Sequence, residues 1–306
     1  MTMSQNKRQT YNTLKEHKLA PKKKFGQNFL VHKLTAEAIV RAGNVKSTDI
    51  IVEVGVGLGA LTTPLASIAH HVYGYEIDSG IVRLHETKGD LPKNVTLIHQ
   101  DILTVDFAEI AEKCGGSLKI LANLPYSISN LFIIKLIENS TLIDSATIML
   151  QKEVAERLMA EPRSKAYGVP TVLLNSCARV KKLMTLKPAE FHPRPKIDSV
   201  VISIKFDKQS DNSLNRSNPE YNFALFRRIV RTTFNQRRKT ILNTLSGANL
   251  FNDIAGGSRE INKKFTLEAL SQAHLKPADR PETLSSHDFI QLANQVEQLL
   301  EKHNAK

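Results

Sequence analysis

Asp49-Ile50-Ile51-Val52-Glu53-Val54-Gly55-Val56-Gly57-Leu58-Gly59-Ala60 decides the fold class. Its first half is an apolar run of strand length, and it passes directly into a glycine loop with a helix expected from Leu61. Strand, glycine loop and helix in that order predict a Rossmann-like α/β domain with ligands at the C-terminal ends of its strands. Gly55, Gly57 and Ala60 satisfy the dinucleotide pattern G-x-G-x-x-G/A, so a nicotinamide cofactor is admitted. Two features favour S-adenosylmethionine. Gly59 extends the pattern to E-x-G-x-G-x-G, and Glu53 sets a carboxylate beside the loop, which would repel a pyrophosphate but suits a sulfonium and an ammonium. The helix from Leu61 would turn its N-terminus to the methionine carboxylate.

Downstream, the pattern alternates strand and helix. Strands are expected at His71 to Glu76, Val95 to His99 and Leu118 to Asn123, with a helix from Ser79 to about Thr87. Acids recur at the strand ends. Glu76 is placed to accept both ribose hydroxyls, and Asp101 to meet the amine of an adenine. For either one alone, a helix cap or a surface carboxylate is the competing reading. The third of these strands ends in Asn123-Leu124-Pro125-Tyr126, which offers an exposed adenine or cytosine a ring to stack on and oxygens to accept its amine protons. An isolated N-x-P-Y is equally a turn closing a buried strand.

Upstream, Lys24 to Leu30 reads as a structured loop, followed by a helix from Lys33 to Ala42 with Leu34, Ala38, Ile39 and Ala42 on one face. Past the acceptor motif, helices are expected at Ile128 to Glu138 and Gln151 to Met159, and strands at Ala146 to Leu150, Val180 to Leu186 and Asp198 to Phe206. The extended Phe191-His192-Pro193-Arg194-Pro195-Lys196 loop presents an aromatic that either sandwiches a base against Tyr126 or packs beneath the loop. Residues 207 to 220 are polar and turn-rich and read as a linker. The expected organisation is a basic arm (1–24), an α/β domain (25–206), the linker, and a smaller all-helical C-terminal domain (221–306). In that last part Phe223, Phe226, Val230 and Phe234 share a helix face. Continuing the helix would place Arg237 and Arg238 on the same stripe, so a break is expected near Asn235-Gln236. Later helices are expected at Thr266 to Leu275 and, capped by Ser285 with Asp288, at Ser286 to about Glu301.

The 306 residues carry a formal net charge of +12 and a pI near 9.6, which favours polyanions as partners. The charge is concentrated in two places. One is residues 7 to 24, ending in Lys22, Lys23 and Lys24; the other runs from Arg227 to Lys239 and includes Arg228, Arg231, Arg237, Arg238 and Lys239. Both are expected to track nucleic-acid phosphates. Cys114 and Cys177 read as packing residues, and the histidine spacing indicates no metal site. No apolar run approaches the ~20 residues of a membrane span and no secretory leader is evident, so a soluble, cytoplasmic protein is expected.

The chain resembles the ribosomal RNA adenine dimethyltransferases, most of all their bacterial small-subunit branch, over nearly its whole length from about Lys22. The resemblance is carried jointly by KKKFGQNFLV, EVGVGLGALT, YEID, HQDIL, NLPY, MLQKEVAERL with SKAYG, FHPRPKIDSVV and FNQRRKTILN. It implies cofactor contacts at Asn28, Leu30, Gly55, Glu76, Asp101 and Asn123, and base handling by Asn123, Tyr126 and Phe191. It further implies a monomer that methylates a pair of adjacent adenosines near the 3′ end of small-subunit RNA, in the small ribosomal subunit or its precursor. Val56 departs from the proline common in the family's glycine loop. Three other readings are a large-subunit adenine methyltransferase of the macrolide-resistance type, a non-catalytic assembly factor and a nicotinamide oxidoreductase. FNQRRKT and the long C-terminal part count against the first, and intact NLPY with the site acids against the second.

Overall fold

The computed structural model describes residues 10, 12–17, 19, 21, 26–207, 221–248, 250, 251 and 258–304. Lys22, Lys23, Lys24 and most of the expected linker lie outside the described residues. The chain divides into two compact units, Met1–Ala155 with Ala178–Lys208, and Glu156–Cys177 with Gln209–Lys306. The expected α/β domain was one continuous stretch to residue 206. The structure instead assigns residues 156–177 to the helical unit.

In the first unit, β2 (Ile50–Val54), β3 (His71–Glu76), β4 (Val95–His99), β5 (Leu118–Asn123) and β6 (Ile143–Gln151) are parallel. Two antiparallel strands, β9 (Ser199–Phe206) and β7 (Ala178–Leu186), complete a sheet ordered β4-β3-β2-β5-β6-β9-β7. The connection from β4 returns to the far side of β2, so a crevice opens beyond the ends of β2 and β5. Their register, Val54 opposite Ala122, brings the glycine loop and Asn123 to that crevice together.

Helices α1 (Lys33–Ala42), α2 (Thr62–Ala66), α3 (Ser79–Lys88), α4 (Phe107–Lys113) and α5 (Ser129–Glu138) cover the sheet. Asp78 caps α3 at the Gly80 amide and Asp106 caps α4 at the Ala108 amide, each satisfying a first-turn donor. In α1 the buried face is Ala36, Ile39 and Val40, whereas Leu34 is 77% exposed. Leu34 lies about 200° around the helix from Ala36, so the expected apolar face was drawn through the wrong residue. A separate two-residue ribbon pairs β1 (Phe29–Leu30) with β8 (Phe191–His192), Leu30 opposite Phe191 and Phe29 opposite His192.

Helix α6 (Lys152–Leu158) runs across the boundary between the units. In the second unit, α7 (Val169–Asn175) joins α8 (Phe223–Phe234), α9 (Ile241–Ser246), α10 (Arg259–Gln272) and α11 (Ser286–Asn304). Tyr167 explains why the 156–177 segment belongs here. Its ring is buried near Phe234 at 6.1 Å and its hydroxyl donates to the Leu284 carbonyl at 2.9 Å. Helix α8 stops at Phe234, where the expected break falls, and Arg237 leaves the apolar stripe to donate to the Lys165 carbonyl at 3.1 Å. Ser285 and Asp288 form a reciprocal capping box at the start of α11. No described helix is long and apolar enough to cross a membrane.

Candidate active site

The loop after β2 is held by its own backbone and by Glu76. Gly55, Gly57 and Gly59 all have positive φ (82°, 54° and 78°), which side chains other than glycine's rarely adopt. A Cβ at Gly55 would stand 2.9 Å from the Asn123 carbonyl oxygen, so only glycine lets β2 and β5 approach this closely. Glu76, at the end of β3, accepts from the Gly57 amide and the Asp78 amide, each at 2.9 Å. Burial raises its pKa above the ordinary carboxylate value, and these amides pull it back. An ionised carboxylate has about four acceptor sites, so Glu76 keeps acceptor capacity toward the cavity it lines.

Beside this loop lies a cavity partly open to solvent. Gln27, Asn28 and Phe29 line it together with the apolar Ile77 and Ile102, and Glu76, Asp101 and Asn123 supply polar groups. The largely apolar lining with a few convergent polar groups suits a nucleoside-like ligand. Asp101 accepts from the Leu103 amide through Oδ1 at 2.9 Å, which directs Oδ2 to other partners. The Asn123 amide donates weakly to the Asn28 carbonyl at 3.4 Å, an orientation that presents Oδ1 as an acceptor. Pro125 and Ser127 line the cavity; between them Tyr126 makes a 2.8 Å hydrogen bond to the buried Ser199 hydroxyl.

Asn28, Gly55, Glu76, Asp101 and Asn123 thus meet at one cavity. Leu30 and Phe191 do not. Side chains alternate across the β1–β8 ribbon, so Phe29 faces the cavity while Leu30 and Phe191, 4% and 1% exposed, enter the core with Ile39, Leu186 and Val201. The expectation that Phe191 stands across from Tyr126 is corrected: the packing alternative holds. Glu53 also departs from expectation. It is fully buried against α2, no hydrogen bond satisfies its carboxyl oxygens, and desolvation raises its pKa to about 8, only partly offset by nearby Thr62. Glu53 is therefore neutral at neutral pH and gives the loop no negative rim. The helix expected from Leu61 is α2, which starts just after Leu61 and is five residues long.

Sequence reasoning missed Gln27, whose amide donates to Asp78 at 3.0 Å, and the lining residues Ile77 and Ile102. The signal was present, since each isoleucine directly follows a strand-end acid. In the second unit, Arg228, Arg231, Arg238 and Lys239 are exposed, whereas Arg237 is half-buried and its guanidinium sits 5.8 Å from the Phe234 ring centre.

The sequence profile described as "Ribosomal RNA adenine dimethylase" matches residues 18–277. The chain belongs to the ribosomal RNA adenine dimethylase family. A protein of Desulfotalea psychrophila named "Ribosomal RNA small subunit methyltransferase A" is 60% identical over 289 residues, covering 94% of this chain and 96% of the relative. A Clostridium botulinum protein of the same name is 36% identical over 278 residues, covering 91% and 94%. Among solved structures, a dimethyladenosine transferase from Plasmodium falciparum has a TM-score of 0.73 at 25% identity, covering 88% of this chain and 98% of that one. The 23S rRNA methyltransferase ErmE shares the fold, with a TM-score of 0.60 at 21% identity, covering 89% and 100%. As a member of the adenine dimethylase family the chain is a methyltransferase of Rossmann-like fold with a helical C-terminal region, whose methyl donor is S-adenosylmethionine and whose substrate is ribosomal RNA.

Proposed function

We propose that the chain transfers methyl groups to the N6 amines of two adjacent adenosines near the 3′ end of small-subunit rRNA, two to each. The observation that carries this reading is that Asn123 and the glycine loop both line one cavity, their backbones so close that a Cβ on Gly55 would stand 2.9 Å from the Asn123 carbonyl oxygen, which sets a base-amine acceptor beside a nucleoside cavity. The cavity's chemistry fits S-adenosylmethionine, which supplies an electrophilic methyl group when bound. Glu76 would accept hydrogen bonds from the ribose hydroxyls and Asp101 one from the adenine amine, Ile77 and Ile102 would line the adenine's surroundings, and Gly55 would let the loop backbone approach. Asn28 braces the wall beside Asn123.

The amine of a target adenine is a poor nucleophile because its lone pair is delocalised into the ring. Asn123 Oδ1 and the Leu124 or Pro125 carbonyl accept hydrogen bonds from its two N–H groups, which favours a tetrahedral nitrogen with its lone pair aimed at the methyl group. Tyr126 gives the flipped base a stacking face. The methylated nitrogen is acidic enough to lose its proton to water, so the residues at hand need supply no strong base. Arg228, Arg231, Arg238 and Lys239, with Lys22, Lys23 and Lys24, contact rRNA phosphates; Arg237 does so while tied to Lys165. In this reading the chain acts as a monomer in the cytoplasm on the small subunit or its precursor.

The test is incubation with labelled S-adenosylmethionine and unmethylated small subunits, followed by nucleoside analysis. Dimethyladenosine at two neighbouring positions supports the reading. Labelling of large subunits alone would overturn it.

A further inference from the structure

Gly57 is held at both ends. Its amide donates to Glu76 at 2.9 Å, and its carbonyl accepts from His85 Nε2 at 2.8 Å. His85 lies in the last turn of α3, its side chain 3% exposed, and its Nδ1 is 2.7 Å from Asp90 Oδ1 just beyond the helix. A peptide carbonyl and a carboxylate both only accept, so in this arrangement each ring nitrogen carries a proton, Nε2 donating to Gly57 and Nδ1 to Asp90. The carboxylate at Nδ1 fixes the plane of the ring, as the acceptor behind a histidine commonly does. Nothing in the proposed transfer uses this pair.

The loop needs such a fastening. Three glycines at positive φ lose much conformational freedom when ordered, and Val56 between two of them lacks the ring by which a proline would pre-set φ. Loop order must therefore come from bonds to neighbours. Among the described residues, two side chains donate to carbonyls of the three-glycine segment, Thr63 of the following helix to Gly59 at 3.2 Å and His85 of α3 to Gly57, and His85 Cε1 lies 3.7 Å from where a Cβ of Gly59 would stand.

We propose that His85, steadied by Asp90, is a positioning residue that locks the glycine loop in its cofactor-binding shape and so sets affinity for the methyl donor without touching it. The inference rests on the cofactor reading above. With the loop unlocked, Gly57 samples other conformations, its amide leaves Glu76, and binding must order the loop again.

The experiment titrates S-adenosylhomocysteine into wild type, His85→Leu, His85→Gln and Asp90→Ala, with folding checked by circular dichroism. Wild type must bind first; failure there would count against the cofactor reading itself. His85→Leu, which keeps bulk but donates nothing, is expected to weaken binding about tenfold. His85→Gln, whose amide reaches the same carbonyl, should recover most of this, and Asp90→Ala should lose about threefold. The KM for S-adenosylmethionine should rise in parallel, while kcat at saturation and the KM for small subunits stay near wild type. Adding Val56→Pro to His85→Leu should restore affinity, because the ring replaces order that the hydrogen bond supplied. Equal affinity in wild type and folded His85→Leu would overturn the proposal, as would equal losses in His85→Leu and His85→Gln, which would mean that shape alone matters. If His85→Leu does not fold, His85→Gln and Asp90→Ala decide: wild-type affinity in both sinks the idea.

Discussion

At the scale of single residues, the acids at the strand ends were visible from sequence because they fall in phase with the glycine loop, but their protonation was not. Glu53 shows why. A carboxyl in a strand next to a loop looks solvent-facing on paper, yet here both faces of the sheet are covered and the side chain meets α2. Its pKa rises from 4.5 to about 8, so the folded state holds a proton that the unfolded chain releases. The stability this represents is fully present below the unfolded value and is lost as pH rises toward 8, amounting to roughly 3 kcal/mol between pH 5 and 7. Glu53→Gln, which stays neutral, should lack that loss and be the more stable protein at pH 8; parallel denaturation curves at pH 5 and 8 check it, and identical pH slopes in the two proteins would refute it. Glu76→Ala removes an acceptor of charged hydrogen bonds and should cost about 1.5–3 kcal/mol of S-adenosylhomocysteine affinity. Tyr126 makes a different test. Tyr126→Ala should lower turnover ~10–100-fold while sparing cofactor affinity, because it removes the stacking face. Tyr126→Phe and Ser199→Ala each break one 2.8 Å hydrogen bond and should cost only ~5-fold. Combining the last two should add nothing, since both remove the same interaction.

At the scale of elements, β3, β4 and β5 stand where their periodicity put them, since period-two or continuous apolar runs bounded by turns are local signals. What sequence could not show is pairing between distant short segments. The β1–β8 ribbon has two residues per strand, separated by some 160 positions, and it alone decides that Phe29 faces the cavity and Phe191 the core. Helix α7 was also missed, because its VPTVLLN run carries β-branched residues and a proline at the first turn, so its helical state follows from packing within the second unit. The ribbon is pinned through Glu190. Its carboxylate meets His32 and the Thr35 hydroxyl at 2.7 Å each, and its carbonyl accepts from the Val31 amide at 2.9 Å. Glu190→Ala should loosen the wall that Phe29 and Asn28 form and weaken S-adenosylhomocysteine binding by ~1 kcal/mol. Titration of the variant checks this, with unchanged affinity meaning that the ribbon holds its place without the pin.

At the scale of the whole molecule, the net charge predicted the class of partner, and the division into units shows which parts may be tested separately. Residues 207 to 220 looked like a clean domain boundary, because polar composition marks a linker whatever lies on either side. It could not reveal that residues 156–177, well inside the expected α/β domain, share a core with the C-terminal helices. Deleting everything after residue 211 would therefore strip the partners from Tyr167, Val172 and Leu173, all buried, and leave an apolar face in water. Truncation is a poor probe of RNA binding; charge neutralisation is a better one. Arg228, Arg231, Arg238 and Lys239 are exposed, so changing all four to Gln should leave the helical core intact. Arg237 stays out of the set because its bond to Lys165 ties two segments of the unit. If each of the four neutralises one rRNA phosphate, the slope of log K against log salt for small-subunit binding should flatten by ~3 units, at ~0.7 to ~0.9 per contact. S-adenosylhomocysteine affinity should hold, since every residue lining its cavity belongs to the first unit. Filter binding across a salt series, with cofactor titration as the control, measures both. A quadruple variant with the wild-type slope would mean that this basic face is solvated surface, leaving the rRNA contact to the arm that ends in Lys22, Lys23 and Lys24.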